Sequence, residues 1–302
     1  MASDSVIEVH RLAKWYGRVL ALADLTLCVR RGQVFGFLGP NGAGKTTSVK
    51  LLVGLVHASG GDGCVLGYRL GDRRARTRLG YLPELFRYPD WLSAREVLDF
   101  HARICGRSVR TREIDEALEL VGLERRATDR VAAFSKGMQQ RLGLAVALLG
   151  NPDLMILDEP TSALDPAGRL EVRELLHRLR ANGTTVFLNS HLLTEVEQVC
   201  DRIAIVTKGR VVAQGTIGEI LGARNAVRVR ARANGVPIEP VLERFGPLTR
   251  EESALIVHGV EDDRVPAMVS ALVAANAAIY AIEPLTATLE ERFLQLTSER
   301  GA

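Results

Sequence analysis

The chain has 302 residues, 47% hydrophobic and 25% charged, with a formal net charge of +3. A core large enough to fold on its own is expected, in one large domain and a smaller one, and the charge is too small for a dedicated nucleic-acid binder. Four scattered cysteines (Cys28, Cys64, Cys105, Cys200) form no C-x-x-C pair, so they read as small core side chains in a reducing compartment rather than as disulfides or zinc ligands. The first five residues lack the basic and apolar regions of a secretory signal. The longest uncharged stretch, Val265–Ile282, contains Pro266, Ser270 and Asn276 and falls short of the ~20 apolar residues of a spanning helix. The expectation is a cytosolic protein that forms no pore by itself.

In chain order, Val6–Leu12 and Leu25–Val29 read as antiparallel strands with a turn at Gly17. Val34–Leu38 is a short buried strand running into Gly39-Pro40-Asn41-Gly42, and a helical period follows from Gly44 to about Leu55. Residues 91–149 carry helical patterns with a break near Gly106–Ser108. Leu154–Asp158 and Thr184–Asn189 are again buried strands, separated by a helix at Arg169–Arg180; Ile203–Thr207 and Val211–Gln214 form a hairpin. This alternation predicts an α/β core with a mostly parallel sheet. Beyond Gly222 the composition turns acidic, and the pattern reads strand (Ala226–Arg232), helix (Ile238–Phe245), strand (Pro247–Glu251), strand (Ala254–Val260), helix (Arg264–Ala274), strand (Ala278–Glu283) and a last helix from Thr288. That order is the split βαβ, ferredoxin-like arrangement.

Gly39-Pro40-Asn41-Gly42-Ala43-Gly44-Lys45-Thr46 fits G-x-x-x-x-G-K-[ST] between a strand and a helix, which makes it a phosphate-binding P-loop. Its glycines let backbone N–H groups converge on phosphate oxygens, and the helix behind it presents the positive end of its dipole. Lys45 reaches the β- and γ-phosphates, Thr46 is placed to ligate Mg²⁺, and Thr47 is counted with the nucleotide contacts. No guanine-reading N-K-x-D segment is present, so the nucleotide is ATP. Leu154-Met155-Ile156-Leu157-Asp158-Glu159 is the Walker B pattern: a buried strand delivers Asp158 to the Mg²⁺, and Glu159 can accept a proton from an attacking water.

These motifs, with Phe134-Ser135-Lys136-Gly137-Met138-Gln139-Gln140-Arg141 about two dozen residues before Walker B, resemble the ATP-binding-cassette (ABC) ATPases over about residues 5–220. The resemblance implies a P-loop NTPase domain with a mixed sheet and a helical subdomain over 1–222, followed by a small α+β, ferredoxin-like accessory or regulatory domain over 223–302. It implies that two cassettes pack head to tail, so that Ser135 and Gly137 of one chain donate to the γ-phosphate held by the other. It also assigns Tyr16 to adenine stacking, Asp165 to communication across the dimer and His191 to a γ-phosphate contact. Two departures stand out: the usual signature L-S-G-G-Q is altered at Phe134, Lys136 and Met138, and Glu84 in Gly80-Tyr81-Leu82-Pro83-Glu84 replaces the usual Q-loop glutamine. Glu84 can still approach Mg²⁺ or water through an oxygen, though it cannot donate as an amide does.

The motifs look like the bacterial drug- and lipid-exporter branch. The function implied is the ATP-hydrolysing subunit of an exporter, paired with a second cassette as a homodimer and with a separate permease, on the inner, cytoplasmic face of the cell membrane. Leu85–Arg103 would contribute to the docking groove for that integral membrane permease. The alternative is a soluble cassette ATPase acting on ribosomes or nucleic acid. It is disfavoured because the chain has one cassette and no sustained heptads between Lys45 and Asp158, which are 113 residues apart. The Arg-rich stretch Arg69–Arg78 reads as a solvated face, with no specific nucleic-acid partner expected.

Overall fold

The computed structural model describes residues 4–106, 110–222, 226–235, 237–251, 254–285 and 288–298. Three sequence expectations therefore fall partly outside the described residues: the N-terminal end, the break at Gly106–Ser108 and the domain boundary after Gly222. Of these, Gly106 itself is described and takes φ +66°.

The elements in chain order are β1 (Ser5–Tyr16), β2 (Val19–Arg30), β3 (Val34–Leu38), α1 (Lys45–Leu52), β4 (Gly60–Val65), β5 (Tyr68–Arg69), α2 (Arg73–Arg76), β6 (Leu79–Leu82), α3 (Ala94–Ile104), α4 (Thr111–Leu120), α5 (Lys136–Leu148), β7 (Leu154–Asp158), α6 (Pro166–Ala181), β8 (Thr185–Asn189), α7 (Leu193–Val199), β9 (Arg202–Thr207) and β10 (Arg210–Thr216). After α8 (Ile217–Leu221) come β11 (Ala226–Arg232), α9 (Glu239–Leu242), β12 (Leu248–Glu251), β13 (Ala254–His258), α10 (Val265–Ala274), β14 (Ala278–Leu285) and α11 (Leu289–Ser298). The chain divides into two compact units, one reaching Ile217 and including the end from Gln295, the other Gly218–Leu294.

In the first unit ten strands follow the order β5-β4-β1-β2-β10-β9-β3-β8-β7-β6. The pairs β3·β9, β3·β8, β7·β8 and β6·β7 are parallel, whereas β1·β2, β1·β4, β4·β5 and β9·β10 are antiparallel. The sheet is mixed: the parallel expectation holds from β9 through β3, β8 and β7 to β6 at one edge and for the β2·β10 pair, while the remaining pairs are antiparallel. Every residue of β3, β7 and β8 is buried, as continuous apolar runs require when both faces of a strand are covered. The rings of Phe37 and Phe187 meet with centroids 5.2 Å apart in this layer.

Strands β4 to β6 and helix α7 escaped the sequence reading. Gly60-Gly61-Asp62-Gly63 at the start of β4 gives no β-branched alternation, and β5 is only two residues long. Helix α7 has seven residues and no side-chain cap. Helix α5 lies directly on β6: a Cβ on Gly80 would sit 2.0 Å from the Ala147 carbonyl oxygen, and one on Gly143 would sit 2.7 Å from Leu82. This close approach fixes α5 over the strand that leads to Glu84.

In the second unit four strands follow the order β12-β13-β11-β14, all neighbours antiparallel. With the chain order β11-α9-β12-β13-α10-β14, this is the split βαβ topology. Its core gathers Val227, Val229, Leu242, Val257, Met268 and Leu272. The first helix is shorter than the expected Ile238–Phe245, ending at Leu242 and giving way to a turn at Glu243–Phe245.

A methyl group at Gly80 meets backbone rather than a side chain that can swing aside. Gly80→Ala is expected to destabilise the protein by about 1–3 kcal/mol, the usual cost of overpacking. The urea midpoint checks this, and an unchanged midpoint would mean that α5 tolerates displacement from β6.

Candidate active site

The site is assembled at the C-terminal edge of the central parallel strands, where open α/β sheets bind ligands. Cross-strand register makes the assembly explicit. Phe37 lies opposite Asn189 and Asn189 opposite Asp158, so the loop that begins at Gly39 starts beside Asp158. Leu82 lies opposite Leu157, which brings Pro83 and Glu84 to the same edge.

The P-loop leaves β3 through Gly39, where a Cβ would lie 2.4 Å from the Val206 carbonyl oxygen of β9. It closes with an Ala43 N–H to Pro40 O bond of 3.1 Å and enters α1 through Gly44 at φ +98°, a conformation that favours glycine. A Cβ on Gly44 would also strike Ala21 O in β2 at 2.7 Å. The first helical bond runs from Ser48 N–H to Gly44 O at 2.9 Å, so the amides of Lys45, Thr46 and Thr47 precede it at the helix end. No acidic residue occupies the first turn and no side chain caps it, which leaves an anion-binding end. Lys45 Nζ donates to Gly39 O at 2.6 Å and to Pro40 O at 3.2 Å, folded back over the loop that would carry phosphate.

Three carboxylates face this lysine. Burial lowers the Lys45 pKa, while the negative charges of Glu159, Asp158 and Glu84, in that order, pull it back up. Asp158 is 1% exposed and accepts a hydrogen bond from Asn189 Nδ2; burial raises its pKa, and the Asn189 bond offsets only part of that rise. Glu159 is likewise buried and raised, mainly by desolvation, against the opposing pull of His191. His191 Nδ1 lies 2.8 Å from Glu159 Oε2, with the imidazole largely open to solvent. Glu159 takes φ +54°, a left-handed conformation that costs a non-glycine residue about 1–3 kcal/mol and persists only where surrounding groups hold it.

The donor set fits Mg²⁺. Thr46, Asp158 and Glu84 offer hard oxygen ligands, and Asp158 is a carboxylate buried at the cost of its own ionisation, which a divalent cation would relieve. Among the described residues no group of three or more His, Cys, Asp or Glu forms a metal cage. Mg²⁺ needs no such cage, because it is commonly held by one or two carboxylates plus substrate phosphates.

The other expected residues lie apart from this cluster in the contacts they make. Tyr16 ends β1 on the hairpin whose second strand touches Gly44, and its exposed ring lies 5.1 Å from Lys14 Nζ. Ser135 is exposed and caps α5, accepting from Met138 N–H at 3.2 Å. A Cβ on Gly137 would touch Leu164 at 3.4 Å, which sets the signature segment against the loop before α6. Asp165 caps α6 by accepting from Gly168 N–H at 2.8 Å. Sequence reasoning missed two residues of the site. Asn189 and Gln140 are buried amides bonded to Asp158 and Glu159, and only an apolar run ending in a buried amide hinted at the first.

The ABC transporter family model matches residues 22–162. An ABC transporter ATP-binding protein of Synechocystis is 39% identical over 301 residues, covering 98% of this chain and 84% of the relative. The bacitracin transport ATP-binding protein BcrA of Bacillus licheniformis is 39% identical over 213 residues, covering 70% of this chain and 69% of the relative. Among solved structures, a dimeric bacterial ABC transporter cassette superposes with a TM-score of 0.65 at 25% identity, over 70% of this chain and 99% of that one.

Because burial raises the Glu159 pKa above its ordinary 4.5, the folded protein binds that proton more tightly than the unfolded chain does. Folded stability therefore falls as pH rises from the ordinary glutamate value through the folded one. Without nucleotide, Glu159→Gln is expected to be more stable than the parent at about pH 7.5, with the advantage fading as pH drops below the ordinary glutamate range. Urea midpoints at several pH values measure this; a variant no more stable at neutral pH would show that the carboxylate carries no net burial penalty.

Proposed function

The chain belongs to the ABC transporter family as an ATP-binding subunit, and from that premise we propose that it binds Mg-ATP at this edge and couples hydrolysis to export through a separate membrane permease. Cassettes of this family are ATPases. The observation that carries the site assignment is the convergence of Lys45 and three carboxylates on the open end of α1.

Each residue then has a task. Lys45 exchanges its bonds to Gly39 O and Pro40 O for phosphate oxygens, and the P-loop amides complete the cradle. Thr46 and Asp158 would hold Mg²⁺, with Glu84 near it; when bound, the ion supplies charge neutralisation at the phosphates. Glu159 accepts the proton of the attacking water, and its raised pKa makes it a stronger base than an open carboxylate. His191 steadies Glu159 through the 2.8 Å contact and, once a γ-phosphate is present, can turn to it. Tyr16 stacks on adenine. Ser135 and Gly137 serve the nucleotide of a second cassette, with Asp165 at the junction; the dimeric relative supports that arrangement, and a homodimer is the simplest form.

Transport rather than another use of ATP is supported by the bacitracin transport relative, and export by the Nod factor export ATP-binding protein I of Cupriavidus pinatubonensis, 38% identical over 227 residues. Among the described residues no helix is long and apolar enough to cross a membrane, so the proposed pathway belongs to a partner. A groove of about 260 Å³, lined by Leu55, Leu79, Tyr81, His101, Cys105 and Ala147 among others, offers a docking place for the permease. Phe100 and Ile104 on α3 are exposed, as are Leu85 and Trp91 in the segment between β6 and α3. The proposed home is the cytoplasmic face of the cell membrane, with residues from 223 onward as an accessory domain.

Glu159→Gln is expected to keep ATP affinity while kcat falls about 10²–10⁴-fold, the usual range for a lost general base. Lys45→Ala is expected to weaken ATP binding itself. Equilibrium binding and steady-state hydrolysis separate the two, and wild-type turnover by Glu159→Gln would sink the base assignment. Pull-down of Glu159→Gln from native membranes with Mg-ATP is expected to recover an integral membrane protein in stoichiometric amount, and Ile104→Asp is expected to lose it. Recovery of ribosomal or nucleic-acid partners alone would overturn the export reading.

A further inference from the structure

Glu159 is held by its backbone as well as by its side chain. Its N–H donates to Asn189 O at 2.9 Å, and its carbonyl accepts from Ser162 Oγ at 3.1 Å and from Gln140 Nε2 at 3.3 Å. Gln140 and Glu159 are both buried, so the amide bond is shielded from water that would replace it. The peptide being held is the one with φ +54°, a conformation that persists only when surrounding groups over-determine it.

Gln140 comes from α5, the thirteen-residue helix whose first turn carries Gly137 and whose cap is Ser135. That helix cannot slide freely over the sheet, because Gly80 and Gly143 already bring it to contact distance with β6. A push or pull at the Ser135 end is therefore passed along a stiff element to Gln140, about one and a half turns away. On the other side, the Asn189 carbonyl ties the same peptide to the strand that ends two residues before His191. The Glu159 peptide is thus a junction between the signature helix and the β8 edge.

We propose that Gln140 is a positioning residue for Glu159, linking engagement of the Ser135–Gly137 end of α5 to the aim of the Glu159 carboxylate. The inference rests on the reading of Glu159 as the base that activates water. It gives the signature segment a second role: besides touching a nucleotide held by another chain, it sets the base in its own chain. Gln140 touches no substrate and acts only through Glu159.

The test is a double-mutant cycle between Gln140→Met, which removes the donor at similar volume, and Glu159→Gln. In the wild-type background Gln140→Met is expected to lower kcat about tenfold or more, the scale of a misaimed catalytic group, while ATP affinity stays close to wild type. In the Glu159→Gln background, followed by single-turnover hydrolysis, it is expected to cause no further loss. Gln140→Glu keeps the shape but donates only when protonated, so its kcat relative to wild type is expected to recover as pH falls. Equal losses in both backgrounds, or a fall in ATP affinity matching the fall in kcat, would reduce Gln140 to a core amide and overturn the proposal. Full kcat in Gln140→Met beside an inactive Glu159→Gln would overturn it alone. An active Glu159→Gln would instead remove the base reading on which it rests.

Discussion

Asn189 Nδ2 donates to the Asp158 carboxylate across β7 and β8, at the edge where the P-loop begins. This bond is the point on which the rest of the site depends. Asp158 is almost wholly buried, and a buried carboxylate without partners is expensive enough to surrender its charge. The amide covers one oxygen of the carboxylate and leaves the other for a cation. Lys45 is near enough to feel the charge, but its ammonium is committed to Gly39 O and Pro40 O. In the ligand-free state three acids therefore share the edge with a lysine already committed to backbone carbonyls. Mg-ATP brings two magnesium charges to the acids and phosphate charges to the lysine and the helix end. The residues are preorganised for a ligand that carries both signs, which is a stronger specification than a basic pocket would give.

The same edge stores backbone strain. Glu159 would gain nothing from a left-handed conformation if its task were structural, because any residue could end β7 in an ordinary turn. The twist turns the chain so that consecutive side chains, Asp158 and Glu159, both remain at the site although a strand would send them to opposite faces. Holding that twist takes the bonds from Gln140, Ser162 and Asn189. Strain, clamp and catalytic carboxylate thus belong to one device, in which the cost of the conformation is borne by tertiary contacts.

What could be read from the sequence follows from where the information is local. The P-loop and Walker B were legible because phosphate binding needs glycines and a lysine in one continuous turn, and because strands buried on both faces are apolar without interruption. The four strands of the second unit were legible for a similar reason, and their expected pairing agrees with the observed order. The glycine-rich β4 was lost, since its register comes from pairing with β1 rather than from its own side chains. Gln140 and Asn189 were lost because their partners lie 19 and 31 residues away, and a buried amide gives no periodic signal. Local chemistry marks the groups that meet the ligand; the groups that hold them in place appear only when the chain is folded.

A single chain presents its signature segment to solvent and to itself. Ser135 spends its hydroxyl on capping α5, and Gly137 borders Leu164, next to the Asp165 cap of α6. Yet the α5 end, although capped by Ser135, carries the positive side chain of Lys136 at its first position and no acid in its first turn. One chain thus contains two helix ends of positive character, α1 with the carboxylates beside it and α5 without them. Only the first can assemble the metal and the water. The second can add charge complementarity to a γ-phosphate presented by another chain, and its bond through Gln140 ends on the residue that needs to know when that has happened. Under the proposed function, placing the two halves of the chemistry on different helices, α1 and α5, would make hydrolysis conditional on assembly of two chains, so that ATP is not consumed in its absence.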